Sequence, residues 1–199
     1  MTQTYEVAIA VAVGVAAVRA VVVAGGIARA ALLQVRYRWS LPMVLLAPEW
    51  AVLGLTAWWL GGDRASSPTA GDGAAAVSGA ALGCAGLGCL AWAVWSWPGM
   101  FAGHAVPEGH RLIIRRAFGV VRHPAYTGAV LVWLGLAVAF QSPAGLAATV
   151  LYVLPAYLLY AREEEAMMLA AFGDEYRHYQ QRVPGFVPRP RPRAVADPG

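Results

Sequence analysis

The side chains that could do chemistry lie in two short polar stretches of an otherwise apolar chain. The first is Arg122–Tyr126 (RHPAY), and the second is the acidic run Glu163–Glu165. Proline suits the first position of a helix, and the residue before a proline is driven out of the α region, so we expect His123 to cap a helix that begins at Pro124. A helix start carries unpaired N–H groups and a partial positive charge, so with Arg122 this stretch predicts an anion site. The same five residues would also suit a basic anchor at a membrane surface.

The acidic run predicts a ligand site more than a solvated helix end. Three consecutive acids follow an apolar run on the side of the chain that is otherwise basic, which fits a simple solvated end poorly. Neighbouring residues on a helix point about 100° apart, so Glu164 and Glu165 should not reach one ligand atom together. We expect one of the two to pair with Arg162 or with another arginine.

The order of these residues resembles the C-terminal half of the isoprenylcysteine carboxyl methyltransferase family, which is related to membrane phospholipid methyltransferases. The resemblance covers roughly residues 82–188 and departs from the family's usual Gly-Pro-Tyr upstream of the Arg-His-Pro, where this chain has Arg116, Ala117 and Phe118. The residues that carry it are Arg122, His123, Pro124, Tyr126, Gly128, Glu164, Glu165, Phe172, Gly173, Glu175, Tyr176, Tyr179, Val183 and Pro184.

The resemblance implies an enzyme that uses S-adenosylmethionine as its co-substrate and methylates a lipophilic small molecule or lipid. It implies that a donor site is lined by Arg122, His123, Pro124, Tyr126, Glu164 and Glu165. A carboxylate there can hold the ribose hydroxyls or the α-amino group of the donor, while an arginine and a helix start can hold its carboxylate. We expect Glu165 and Arg162 to be the catalytic residues. Arg162 would orient or activate the acceptor, or would instead pair with Glu165 or a headgroup.

Two other classes of protein stay open at this point. Membrane sterol reductases share a similar layout with an Arg-His-Pro-Asn-Tyr element and nicotinamide chemistry, but here Ala125 replaces the asparagine. A non-catalytic membrane scaffold would need no such clustering. We expect no nucleic-acid partner and no metal, because His104, Glu108 and His110 lack a third strong ligand and a rigid helix beneath them.

The composition indicates an all-α, polytopic transmembrane helix bundle. Of the 199 residues, 59% are hydrophobic and 13% are charged, with a mean hydropathy of +0.54, whereas soluble domains carry about 25% charged residues. The apolar runs predict about five spans, at residues 7–33, 43–60, 74–97, 125–140 and 146–161. The last two runs are short for a bilayer unless motif residues extend their helices. We further expect an amphipathic C-terminal helix at residues 175–182, on the cytoplasmic side.

Two features of the sequence predict how these helices pack and how they are oriented. The third span carries Gly79, Gly83, Gly86 and Gly88, which indicates close helix packing. With five spans, the arginine-rich segments all fall on one side, and an excess of arginine marks the cytoplasmic side. The predicted divisions are three N-terminal transmembrane helices at 1–97, a catalytic region at 98–188 and a disordered Pro/Arg tail at 189–199.

Overall fold

The computed structural model describes residues 41, 49, 72–97 and 111–189, and this part of the chain is helical and contains no strand. The predicted spans at 7–33 and 43–60 lie outside the described residues, apart from Glu49, and so does the predicted tail beyond Arg189. The all-α prediction is therefore confirmed for the part of the chain that is described.

The first described helix, α1, runs over Asp72–Ser96 and corresponds to the third predicted span. Within it, Gly73–Ser96 is long and apolar enough to cross a membrane. Trp95, near its end, is well exposed, as expected of an aromatic residue at a membrane–water interface. A short 3₁₀ helix at Arg116–Gly119 leads from the following segment toward the RHPAY stretch.

Helix α2, at Pro124–Ala139, begins as the sequence predicts, with His123 as its cap residue and Pro124 in its first turn. It has 16 residues, and at 1.5 Å per residue it is about 24 Å long, shorter than the roughly 30 Å hydrocarbon core. The chain turns at Gln141, whose φ is 47°. The hydroxyl of Ser142 then caps the next helix by accepting from the N–H of Gly145.

Helix α3 is continuous over Pro143–Phe172, so its 30 residues include both the predicted fifth span and the acidic run. A π-helical turn at Thr149–Val153 interrupts its regular ladder. Pro155 lies two residues beyond this turn and has no N–H to continue that ladder, which accounts for the change of register. The expectation that motif residues extend this helix beyond its apolar part is confirmed.

Glycines bring α1 and α2 into backbone contact. A Cβ atom on Gly86 would lie 2.6 Å from the carbonyl oxygen of Gly128, and one on Gly135 would lie 2.6 Å from that of Gly79. Real Cβ atoms do not approach so closely, so only glycine permits this spacing. Gly88 faces open space and takes no part. The predicted close packing is confirmed for Gly79 and Gly86.

The core between α2 and α3 is built from aliphatic and aromatic side chains, among them Val132, Trp133, Phe140 and Tyr157. Gly173, with φ of 52°, ends α3, and helix α4 follows at Asp174–Arg182. This last helix buries Tyr176 and Tyr179. The hydroxyl of Tyr179 donates to the carbonyl oxygen of Phe118 at 2.6 Å, which fixes α4 beside the 3₁₀ helix.

Candidate active site

A cluster of two bases and two acids forms where the start of α2 meets the polar end of α3. Arg122 donates to Oε1 of Glu165 from Nε and lies equally close through Nη2, at 2.8 Å in both cases. The ring of His123 lies between the two acids, with Nε2 2.8 Å from Oε1 of Glu165 and Nδ1 3.4 Å from Oε2 of Glu164. Residues about 40 positions apart in the chain therefore form one polar group.

Glu165 has its hydrogen-bonding capacity taken up inside this cluster. Its Oε1 atom faces both Arg122 and His123, and its Oε2 atom accepts from the side-chain amide of Gln180 at 2.8 Å. Its side chain is 19% exposed. Glu165 thus ties together the start of α2, the end of α3 and the end of α4.

Glu164 has different surroundings although it is the next residue. The hydroxyl of Tyr126 donates to its Oε2 atom at 2.9 Å, on the side where His123 also approaches. Its side chain is 30% exposed, and within the described part of the chain its Oε1 atom takes part in no hydrogen bond or ion pair. Glu164 is therefore the acid of the cluster that can accept a hydrogen bond from a ligand.

A strap formed by residues 183–188 holds the backbone of the RHPAY stretch. The N–H groups of Arg122 and His123 donate to the carbonyl oxygens of Pro184 and Gly185, at 2.8 and 3.0 Å. The guanidinium of Arg122 also donates to the carbonyl oxygens of Gln180 and Val183. The hydroxyl of Thr127 donates to the carbonyl oxygen of Phe186 at 2.9 Å.

Aromatic rings fix the position of His123 and Tyr126. The ring of His123 is stacked between Tyr126 and Phe186, with centroids 5.4 and 5.3 Å away. Tyr126 in turn stacks on Tyr157 at 5.1 Å and meets Tyr160 edge-on at 5.6 Å. These contacts leave the hydroxyl of Tyr126 aimed at Glu164.

The electrostatics favour a charged His123. Burial acts to lower the pKa of His123, but hydrogen bonds and charges from Glu164 and Glu165 outweigh it and raise that pKa above its usual 6.5. Each ring nitrogen faces a carboxylate oxygen, so the doubly protonated ring can donate to both acids. The cluster then holds two positive side chains and two negative ones, so its net charge is zero. Burial, reinforced by the charge of Glu165, raises the pKa of the Tyr176 phenol, which therefore stays neutral.

The structure brings together most of the residues that the sequence singled out. Arg122, His123, Tyr126, Glu164 and Glu165 share one cluster, and the buried Pro124 begins the helix beneath it. The arginine that pairs with the acidic run is Arg122 and not Arg162. Arg162 is exposed, and it makes no hydrogen bond or ion pair within the described part of the chain.

Sequence reasoning missed two parts of the cluster. Nothing in the sequence pointed to Gln180 as a partner of Glu165, because a glutamine on a polar helix has no distinguishing pattern. The strap left a partial signal, since Val183 and Pro184 belong to the motif series, but their role as backbone acceptors was not visible.

Residues 74–175 match the sequence model of the phospholipid methyltransferase family. No curated protein and no solved structure matches the chain. The match covers more than half of the 199 residues and contains α1 from residue 74 onward, α2, α3 and both polar stretches of the cluster. Together with α1 and α3, which are long and apolar enough to cross a bilayer, this describes a membrane methyltransferase. The chain therefore belongs to the phospholipid methyltransferase family.

Proposed function

We propose that this protein transfers a methyl group from S-adenosylmethionine to a lipophilic acceptor at the cytoplasmic face of a membrane. One observation supports this most. The chain belongs to a methyltransferase family, and its two polar stretches form one cluster that includes a partly exposed carboxylate, Glu164. The bundle would have five spans, with its catalytic region at residues 98–188 facing the cytoplasm, where the donor is available.

The cluster fits the cationic part of the donor. S-adenosylmethionine carries an α-ammonium group and a sulfonium, and it supplies the methyl group when bound. The Oε1 atom of Glu164 can accept a hydrogen bond from an ammonium group. In this assignment Glu164 contacts the donor, and Tyr126 holds Glu164 in place through the 2.9 Å hydrogen bond.

Glu165, Arg122 and His123 have a supporting part in the same donor site. The guanidinium of Arg122 is engaged by Glu165 and two carbonyl oxygens, so we assign it to holding the site together and not to gripping the donor's carboxylate. His123 carries the charge that allows two acids to lie side by side. Pro124 sets the start of α2 so that these side chains face the acids.

Methyl transfer is an in-line displacement, so the protein mainly has to align the donor and the acceptor and keep water away. A polar cluster at the end of an apolar helix pair suits a donor from the cytoplasm and an acceptor from the bilayer. Arg162 lies on α3 three residues before Glu165 and is exposed. We propose that it meets the polar head of the acceptor and stabilises its nucleophilic form.

The acceptor classes that suit this site are a prenylcysteine-like carboxylate, a lipid amine and a phenolic lipid. Incubation of the purified protein with methyl-labelled S-adenosylmethionine and a membrane lipid extract should yield a labelled lipid, whose structure identifies the acceptor. The Glu164→Gln variant is the matched control and should give little label.

Binding of S-adenosylmethionine and of NADPH to the detergent-purified protein separates this function from the alternatives. We expect binding of S-adenosylmethionine alone. Binding of NADPH without S-adenosylmethionine would replace the proposal with a reductase, and binding of neither would favour a scaffold.

A further inference from the structure

A further acid, Glu49, lies fully buried beneath the cluster and has no part in the function proposed above. Its Oε1 atom accepts from the indole N–H of Trp133 and its Oε2 atom from the hydroxyl of Tyr157, both at 2.7 Å. The side chain has no exposed surface. Burying a carboxyl group costs free energy. An acid in this core therefore indicates a role that an apolar side chain could not fill.

The contacts of Tyr157 connect this buried acid to the donor site. The ring of Tyr157 is fully buried and stacks on Tyr126 at 5.1 Å with 28° between the planes. Tyr126 donates its hydroxyl to Glu164. Glu49 thus holds the hydroxyl of Tyr157, and the ring of Tyr157 packs against the ring of Tyr126.

We propose that Glu49 is a positioning residue of the donor site, which acts through Tyr157 and Tyr126 on Glu164. The short hydrogen bond to the buried carboxyl group of Glu49 fixes the tilt of the Tyr157 ring. That tilt fixes where the Tyr126 hydroxyl lies, and the hydroxyl holds Glu164 so that its open oxygen faces the donor. This inference rests on the proposed function, because it concerns how that site is built.

Two conservative variants test the proposal, because each removes one hydrogen bond to the same buried carboxylate. Tyr157→Phe keeps the stacked ring but frees it from Glu49, whereas Trp133→Phe removes a bond that does not lead to Tyr126. We expect Tyr157→Phe to raise the dissociation constant for S-adenosylmethionine about fivefold, the size of one lost hydrogen bond. Trp133→Phe should leave that constant within about twofold, although both variants lower the unfolding temperature.

A double-mutant cycle separates positioning from a general loss of packing. In the Tyr126→Phe background the link to Glu164 is already cut, so adding Tyr157→Phe should not weaken donor binding further. Glu49→Gln, which can still bond both partners by turning its amide, should keep donor affinity closer to wild type than Tyr157→Phe does.

The outcomes distinguish this inference from the function on which it rests. If the wild type binds S-adenosylmethionine and Tyr157→Phe binds it equally well, the positioning role is overturned alone. Equal weakening by Trp133→Phe and Tyr157→Phe, or additive effects in the cycle, would overturn it as well. If the wild type does not bind S-adenosylmethionine, the proposed function and this inference both fall.

Discussion

Glu164 and Glu165 are neighbours in the sequence, yet their contacts divide the work of the cluster between them. All the oxygen contacts of Glu165 point inward, to Arg122, His123 and Gln180. Glu164 has one oxygen held by Tyr126 and one open. The helical offset of about 100° between adjacent residues is what gives them different surroundings.

Substitution of these two acids by glutamine should therefore have different effects. Glu164→Gln can keep its contact with Tyr126, so we expect near wild-type stability, but loss of the charge should weaken S-adenosylmethionine binding by about tenfold or more. Glu165→Gln places an NH₂ group against existing donors and should destabilise the fold by about 1–3 kcal/mol. Calorimetric titration and thermal unfolding in detergent measure the two effects. Equal donor affinity in Glu164→Gln and wild type would remove the donor assignment.

The charge of His123 should make stability depend on pH. A raised folded-state pKa means that the charged ring stabilises the fold fully below about pH 6.5, its ordinary value, and that this contribution is lost as pH rises through the raised value. The unfolding temperature of the wild type should exceed that of His123→Gln by more at pH 6 than at pH 9. An equal or larger difference at pH 9 would show that the ring is not charged in the folded protein.

Arg162 offers a test of acceptor activation that leaves the donor site intact. Arg162→Leu should lower turnover at least about tenfold and leave donor affinity within about threefold, because the exposed Arg162 side chain makes no hydrogen bond or ion pair with the described cluster. Arg177→Leu is a suitable control, since Arg177 is also exposed and pairs with Asp174 on its own helix. Loss of donor binding in Arg162→Leu would instead place this arginine in the donor site.

At the scale of the elements, the contact between α1 and α2 depends on glycines, which have no side chain to keep the two backbones apart. Gly135→Ala should therefore push the two helices apart, because the new methyl group would lie 2.6 Å from the carbonyl oxygen of Gly79. We expect a loss of about 1–3 kcal/mol. Gly88→Ala is the matched control on the open face of α1, and it should be neutral or stabilising by up to about 1 kcal/mol. Thermal unfolding of the two variants in one detergent gives the comparison, and equal unfolding temperatures would contradict the glycine contact.

The helices could largely be predicted from the sequence, because their signals are local. Each signal is visible within one or two helical turns. The signals are a proline at a helix start, glycines in an apolar run and, in α4, polar and apolar residues on opposite sides of the helix. The partners within the cluster could not be predicted in the same way. Arg122 meets carbonyl oxygens of the strap, and Glu49 meets Trp133 and Tyr157, through contacts across the fold that no local pattern encodes.

At the scale of the whole molecule, the proposed orientation rests on the one-sided distribution of arginine. Five spans place the loop at residues 61–73 and the tail after residue 184 on opposite sides of the membrane. Single cysteines introduced as Ser66→Cys and Val195→Cys, with Cys84 and Cys89 replaced by alanine, should react with an impermeant thiol reagent from opposite sides. Labelling of both from the same side would contradict the five-span arrangement.

The strap also sets the order in which the site can form during synthesis. Val183, whose carbonyl oxygen binds the Arg122 guanidinium, lies 61 residues beyond it. A ribosome adds about 5–20 residues per second, so the RHPAY stretch is synthesised about 3–12 seconds before its acceptors exist. At the end of that interval, once α3 has been made, the nascent hairpin of α2 and α3 carries two bases and two acids without the backbone acceptors that hold them. The cluster consequently cannot be completed until the strap has been made, and a chain that ended before Val183 would contain α1, α2 and α3 but lack the backbone acceptors of its polar site.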